Sequence, residues 1–197
     1  MASRRQVSPP GPRPGPAIGL LELSSIARGA VVADAAVKRA AVNLLWAKPI
    51  TPGKFLVLLS GGEEEVFFAL ERAVDLSAAT LIDRLYLPNP HPQLFAALSV
   101  APAFGEPHSL AVVETFSVVA TLLAADRALK AAEVDLLQLR MARGLGGKAY
   151  FVLSGVLHQI EAALEAAASV MHGGMLQSVE VIAHPHPDLI SSLLSES

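Results

Sequence analysis

The chain states nearly the same thing twice. The run Ala33-Asp34-Ala35-Ala36-Val37-Lys38-Arg39-Ala40-Ala41-Val42-Asn43-Leu44-Leu45 returns as Ala125-Asp126-Arg127-Ala128-Leu129-Lys130-Ala131-Ala132-Glu133-Val134-Asp135-Leu136-Leu137, with eight of thirteen positions identical at an offset of 92. The register persists outside that window. Glu22 matches Glu114, Gly53-Lys54 matches Gly147-Lys148 at an offset of 94, and Ser60-Gly61 matches Ser154-Gly155. Asn89-Pro90-His91-Pro92 matches His184-Pro185-His186-Pro187 at an offset of 95. So long a register with so little drift means a duplicated domain, not a solenoid of units of roughly 20–50 residues. Two like shapes in one chain suggest pseudo-symmetry, and pseudo-symmetry suggests assembly.

The 197 residues leave room for two domains of about ninety residues, each with a modest core. The pattern divides the chain into a Pro-rich tail (1–16), a first domain (17–99), a linker (100–108) and a second domain (109–197). Hydrophobic residues make up 52% and aromatics only 5%, with a mean hydropathy of +0.48. No apolar run reaches the ~20 residues a membrane-spanning helix needs, so the surplus apolar surface is expected between subunits. The net charge of −3 is made of interspersed acids and bases, with no basic stripe for nucleic acid. The absence of cysteine excludes disulfides, thiolate zinc sites and cysteine-ligated iron–sulfur clusters. Residues 1–16 lack the apolar core of a signal peptide. Their prolines and glycines favour a disordered or polyproline-like tail, either a solvated leader or a partner contact.

Local patterns give the same order of elements in both halves. Ala17 to Leu23 reads as a buried strand. Ser24-Ser25 caps a helix running to about Ala40, with Ile26, Val31, Ala35 and Val37 as its apolar stripe. Val42 to Lys48 and Lys54 to Ser60 form a hairpin about the turn Pro49-Ile50-Thr51-Pro52-Gly53. Glu63-Glu64-Glu65 opens a second helix, where the dipole favours carboxylates. Ile82 to Leu87 is a fourth strand and His91 to Leu98 a short helix. The second half repeats strand 110–114, helix 117–132, strand 135–141, strand 148–153, helix 156–171 and strand 176–183. Each half is therefore β-α-β-β-α-β, an α/β (α+β) class with a four-stranded antiparallel or mixed sheet and helices on one face, ferredoxin-like in appearance.

That order, with these residues in these places, resembles the bacterial microcompartment (BMC) shell-protein domain. The opening Ala17-Ile18-Gly19-Leu20-Leu21-Glu22, the helix motif from Ala33 to Val42 and its copy from Ala125, the glycine-bearing hairpins before Ser60-Gly61 and Ser154-Gly155, and the stretches Asn89-Pro90-His91 and His184-Pro185-His186 carry the likeness. It covers nearly all of residues 17–187. A tandem pair looks like the trimeric, pseudohexameric subclass of shell tile. The chain departs from the family pattern where an arginine usually precedes Pro-His: it has Asn89 and His184 there. It also lacks the pore cysteine with which some tandem members hold an iron–sulfur cluster, so that role is not carried over and no cofactor is implied.

The resemblance implies site roles. Ile50, Thr51, Pro52 and Gly53, with Gly144, Leu145, Gly146 and Gly147, would line a central pore; taken alone they are hairpin turns. Neither stretch holds an ionisable residue, so shape and backbone dipoles would set the gate, with Arg143 adding charge nearby. Lys38 and Lys130 fall at the family's tile-edge lysine, against the common fate of a solvated helix lysine. Asp34 and Asp126, four residues earlier, suit an i,i+4 pair. Asn89, His91, His184 and His186 would make tile-edge contacts. His184 and His186 are at strand spacing, the start of a metal pair, but prolines flank them and no acid or cysteine cluster accompanies them. No catalytic or metal constellation is present; Gly173-Gly174 lacks a phosphate-loop context.

What the resemblance implies is a structural tile and not an enzyme. It would be a homotrimer that packs edge to edge with hexameric tiles and pentameric vertex proteins around encapsulated enzymes in the bacterial cytoplasm, passing small metabolites through an axial pore, with neither membrane nor nucleic acid as partner. The rivals are a trimeric small-molecule-binding regulator of ferredoxin-like fold and a metal-dependent enzyme built on His184 and His186.

Overall fold

A computed structural model describes residues 15–99, 108–141, 144–171, 173 and 175–194. Most of the expected tail and linker, Arg143 and Gly174 lie outside the described residues. Each half opens on a strand, β1 (Ala17–Leu23), buried along its length, and β5 (Ser109–Thr115), buried except at the half-exposed Val112 and Glu114. A serine then ends each strand's turn and starts a helix. Ser25 Oγ accepts the N–H of Arg28 at 3.2 Å to cap α1 (Ile26–Arg39), and Ser117 Oγ accepts that of Ala120 at 3.3 Å to cap α4 (Val118–Ala131). There follow the hairpins β2 (Asn43–Ile50) with β3 (Lys54–Gly61) and β6 (Asp135–Met141) with β7 (Ala149–Gly155).

The helices α2 (Glu63–Ser77) and α5 (Leu157–Ala168) lead back to β4 (Leu81–Pro88) and β8 (Leu176–Ile182), and the halves close with α3 (Pro92–Ser99) and α6 (Pro187–Leu194). The sheets run β2-β3-β1-β4 and β6-β7-β5-β8, with every neighbouring pair antiparallel. Strand alternation gives each sheet two apolar faces. Leu21, Leu23, Val57 and Leu59 enter a core with α1 and α2. Ile18, Leu20, Leu58 and Leu87 enter a larger core shared with α4 and β6 of the second half. The two halves are thus joined by packed hydrophobic surface, which at ~25 cal/mol per Å² dominates such a joint.

Three expectations need correction. The apolar stripe of α1 is misassigned in part: Val37 packs half-buried against the core, but Ile26 and Val31 are 48% and 51% exposed, and the buried face is Gly29, Val32, Ala33 and Ala36. Small residues win that face because the Phe55 ring leaves no room for a Cβ at Gly29. The strand expected to stop at Lys48 continues through Pro49 to Ile50, whose side chain is buried. An edge strand tolerates Pro49, whose missing donor faces away from β3. The terminal helix α6 was not expected, although the 95-residue offset carries His91–Leu98 onto it.

Candidate functional site

Two places in the fold gather the residues singled out by the sequence: the hairpin tips and the seam between the halves. At the first tip the Gly53 N–H donates to Ile50 O at 2.9 Å, closing a three-residue turn at Thr51-Pro52-Gly53, with the Thr51–Pro52 peptide cis. At the second, Lys148 N–H donates to Leu145 O at 3.1 Å. Gly53 and Gly147 hold the equivalent bend at φ of 93° and 91°, which side-chain-bearing residues rarely adopt. The second loop is two residues longer, the insertion that moves the repeat offset from 92 to 94. The tips are adjacent in space: a Cβ at Gly147 would stand 3.2 Å from Pro52 Cδ. Thr51, Pro52, Gly53, Gly144 and Gly146 are exposed and Leu145 half-buried, whereas Ile50 turns its side chain inward.

Directly behind each tip lies an ion pair that sequence reasoning missed. Lys54 Nζ meets Glu22 Oε1 at 2.5 Å with the Glu22 side chain 1% exposed, and Lys148 Nζ lies 3.6 Å from Glu114 Oε2 with both side chains 42% exposed. The signal was available, since the repeat keeps both a glutamate at the strand end and a lysine after the hairpin glycine. Glu22 lies on the sheet face that the second half covers; Glu114 lies on the equivalent face of the second sheet, against which, among the described residues, α6 packs.

The seam holds two of the proposed edge residues, His91 and Lys130. Asp126 divides its carboxylate: Oδ1 accepts the His91 N–H at 2.8 Å and Oδ2 the Lys130 Nζ at 2.6 Å. Asp34 and Lys38 form the same i,i+4 pair at 2.7 Å, but in the open, with side chains 59% and 73% exposed against 3% and 35% for Asp126 and Lys130. Gln93 completes the seam. Its Oε1 accepts the Leu136 N–H at 2.7 Å, and its Nε2 donates to Val134 O at 3.3 Å and Asp135 Oδ1 at 3.5 Å. Asn89 takes a left-handed φ of 48° and donates its N–H to Pro16 O. His184 is exposed beyond β8, and the His186 ring faces Asp188 at 3.6 Å. Among the described residues no group of three His, Cys, Asp or Glu side chains converges as a metal site would require, and no helix is long and apolar enough to cross a membrane.

Comparison with known proteins agrees with this architecture. The BMC domain matches residues 17–90 and again 109–185. The bacterial microcompartment shell protein PduT of Citrobacter freundii is 41% identical over 174 residues, covering 88% of this chain and 95% of that one. A microcompartment protein from Desulfitobacterium hafniense superposes with a TM-score of 0.82 at 39% identity, over 88% of this chain and 97% of its own. A fused permuted hexameric shell protein from the RMM microcompartment shares the fold, with a TM-score of 0.60 at 21% identity over 78% and 82% of the two chains.

Proposed function

The chain belongs to the BMC-domain family of bacterial microcompartment shell proteins, and from that premise we propose that three copies close into a six-sided tile with the hairpin tips around its axis. The observation that carries this reading is the seam. One chain already joins two like halves side by side, through unlike surfaces, with both tips on the same side and in contact. Repeating a join between unlike surfaces generates a closed ring or an open filament. Six similar units around one axis is the closed solution that keeps all tips together.

In that tile the opening is presented by Thr51, Pro52, Leu145 and the loop glycines. Ile50 braces the ring from within, and none of Ile50, Thr51, Pro52, Gly53, Gly144, Leu145, Gly146 and Gly147 bears charge. Passage is passive: backbone N–H and C=O groups offer hydrogen bonds to small polar metabolites, and the Lys54–Glu22 and Lys148–Glu114 pairs behind the tips hold their charges neutralised. Lys38 and Lys130 face the tile's outer edge, held by Asp34 and Asp126, and Asn89, His91, His184 and His186 lie at its corners. The tile has no catalytic role. It packs with hexameric and pentameric shell proteins around encapsulated enzymes in the bacterial cytoplasm.

Electron microscopy of the concentrated protein, alone and with partner tiles, tests the reading. Flat sheets, tubes or closed shells built of six-sided units are expected. Stable, unassembled particles under every condition and with every partner would overturn it.

A further inference from the structure

We propose that the exposed aromatic face of α2 and β4 is a polyproline-binding surface, and that its occupant is the chain's own segment Arg4–Pro14. The face lies within one chain and needs no assembly to form.

Three rings stand open there. Phe67 and Phe68 of α2 are 45% and 46% exposed, and Tyr86 of β4 is 38% exposed. Their geometry is nonetheless fixed. Phe67 meets Phe68 edge to face with centroids 5.7 Å apart and Tyr86 likewise at 5.9 Å. The Tyr86 hydroxyl donates to Glu63 O at 3.2 Å, and the Arg39 guanidinium lies 5.3 Å from the Phe68 centroid. A row of rings set in place suits a proline-rich strand: proline rings pack on aromatic faces, and the polyproline helix is already extended, so little entropy is lost on docking. Glu63, Glu64 and Glu65 border the rings, exposed and without an ion-pair partner among the described residues.

The face belongs to the first half alone. In the repeat register Phe67 and Phe68 become Glu161 and Ala162, and Glu63-Glu64-Glu65 become Leu157-His158-Gln159. Tyr86 becomes Val181 and Arg39 becomes Ala131. A surface for contacts that both halves make would be kept in both. This one goes instead with a segment that precedes the first half only.

That segment has the matching chemistry and enters at the matching place. Pro9-Pro10-Gly11-Pro12 is a P-x-x-P, Arg4, Arg5 and Arg13 are its charges, and residues 1–16 hold no acid. Pro16 O accepts the Asn89 N–H just past β4, and a Cβ at Gly15 would stand 2.7 Å from Gly61 N, which leaves no room for a side chain there. Gly61 and Gly62 lead directly into Glu63, so the segment arrives beside the three glutamates. At ~3.1 Å per residue, Arg13 lies roughly 6 Å before Gly15 and Pro9 roughly 19 Å before it. That reach sets Arg13 against the glutamates. Pro12 and Pro9, one polyproline turn apart, then lie over the rings, which stand one helical turn beyond Glu63.

Spin labels on the full chain test the docking. The chain has no cysteine and Asp75 is exposed, so Ser8→Cys with Asp75→Cys carries one nitroxide on the segment and one on α2 beyond the rings. Doubly labelled chains are co-assembled with an excess of unlabelled chains, and the separation is read by pulsed electron double resonance. A single narrow distance peak is expected. It should be lost on Phe67→Ser with Phe68→Ser, and separately on Arg13→Glu, with the far-UV circular dichroism unchanged. A broad distribution without those substitutions would overturn the proposal. A narrow peak that survives both sets would overturn it by placing the segment elsewhere. A narrow peak seen only without dilution would overturn it by placing the segment on a neighbouring copy.

Discussion

Gly147 lies against Pro52, the tip of one half touching the tip of the other within a single chain. That contact places both loops on one side of the molecule. The offset of 94 at Gly147 and the shared φ near 90° show that the second tip keeps the first one's bend despite two extra residues.

The contact separates two otherwise equivalent glycines. Gly53→Ala meets only the strain of a positive φ, with open space around it, and Gly147→Ala adds a Cβ at 3.2 Å from Pro52 Cδ. The strain alone costs about 1 kcal/mol, at the low end for such positions, and the crowded site about 2 kcal/mol. Urea denaturation should rank Gly147→Ala as the less stable variant.

Asp126 and Asp34 should behave as opposites. Asp126→Ala strips the half-buried His91 N–H of its acceptor and Lys130 of its partner, a loss of about 2–3 kcal/mol. For a chain of this size that lowers the Tm by roughly 4–12 °C. Asp34→Ala removes an exposed i,i+4 pair worth about 0.3–0.5 kcal/mol to the fold. Its effect should appear instead as a higher concentration needed to hold the trimer, read by analytical ultracentrifugation.

The two ion pairs behind the tips make a third comparison. Lys54→Met leaves Glu22 buried without its partner. The expected loss is about 2 kcal/mol, less than the ~3–5 kcal/mol of a fully buried pair because the ammonium still reaches water. Lys148→Met should cost under about 1 kcal/mol in the dissociated chain, where its longer pair is half in solvent. In the trimer its cost should rise toward that of Lys54→Met, as the neighbouring first half covers Glu114. Melting curves at low and high protein concentration read the difference.

Lys38 carries the edge prediction. Lys38→Glu places like charges four residues apart on an exposed face, a few tenths of a kcal/mol against the helix. The trimer should persist and sheet formation should be lost under the microscope. Unchanged sheets would remove Lys38 from the tile edge.

Much of this was legible because local signals agreed with the repeat. The Ser24-Ser25 cap, the hairpin glycines and the acidic start of α2 each mark an element boundary by backbone chemistry alone, and each falls where it was expected. Ile26 and Val31 were misplaced because hydrophobic spacing marks an apolar face without saying what covers it. A core face and a subunit face look alike in one sequence. The Glu22–Lys54 pair was missed because its partners are 32 residues apart and meet only through the β1–β3 register, which brings Glu22 opposite Leu56. The burial of Asp126 was hidden for a related reason: its sequence context is that of Asp34, and only the docking of His91 distinguishes them.

Native mass spectrometry of the intact protein tests the central claim most directly. Three copies of the 20.6-kDa chain are predicted as the smallest stable species at micromolar concentration. Single chains alone at that concentration, with the fold intact, would contradict it.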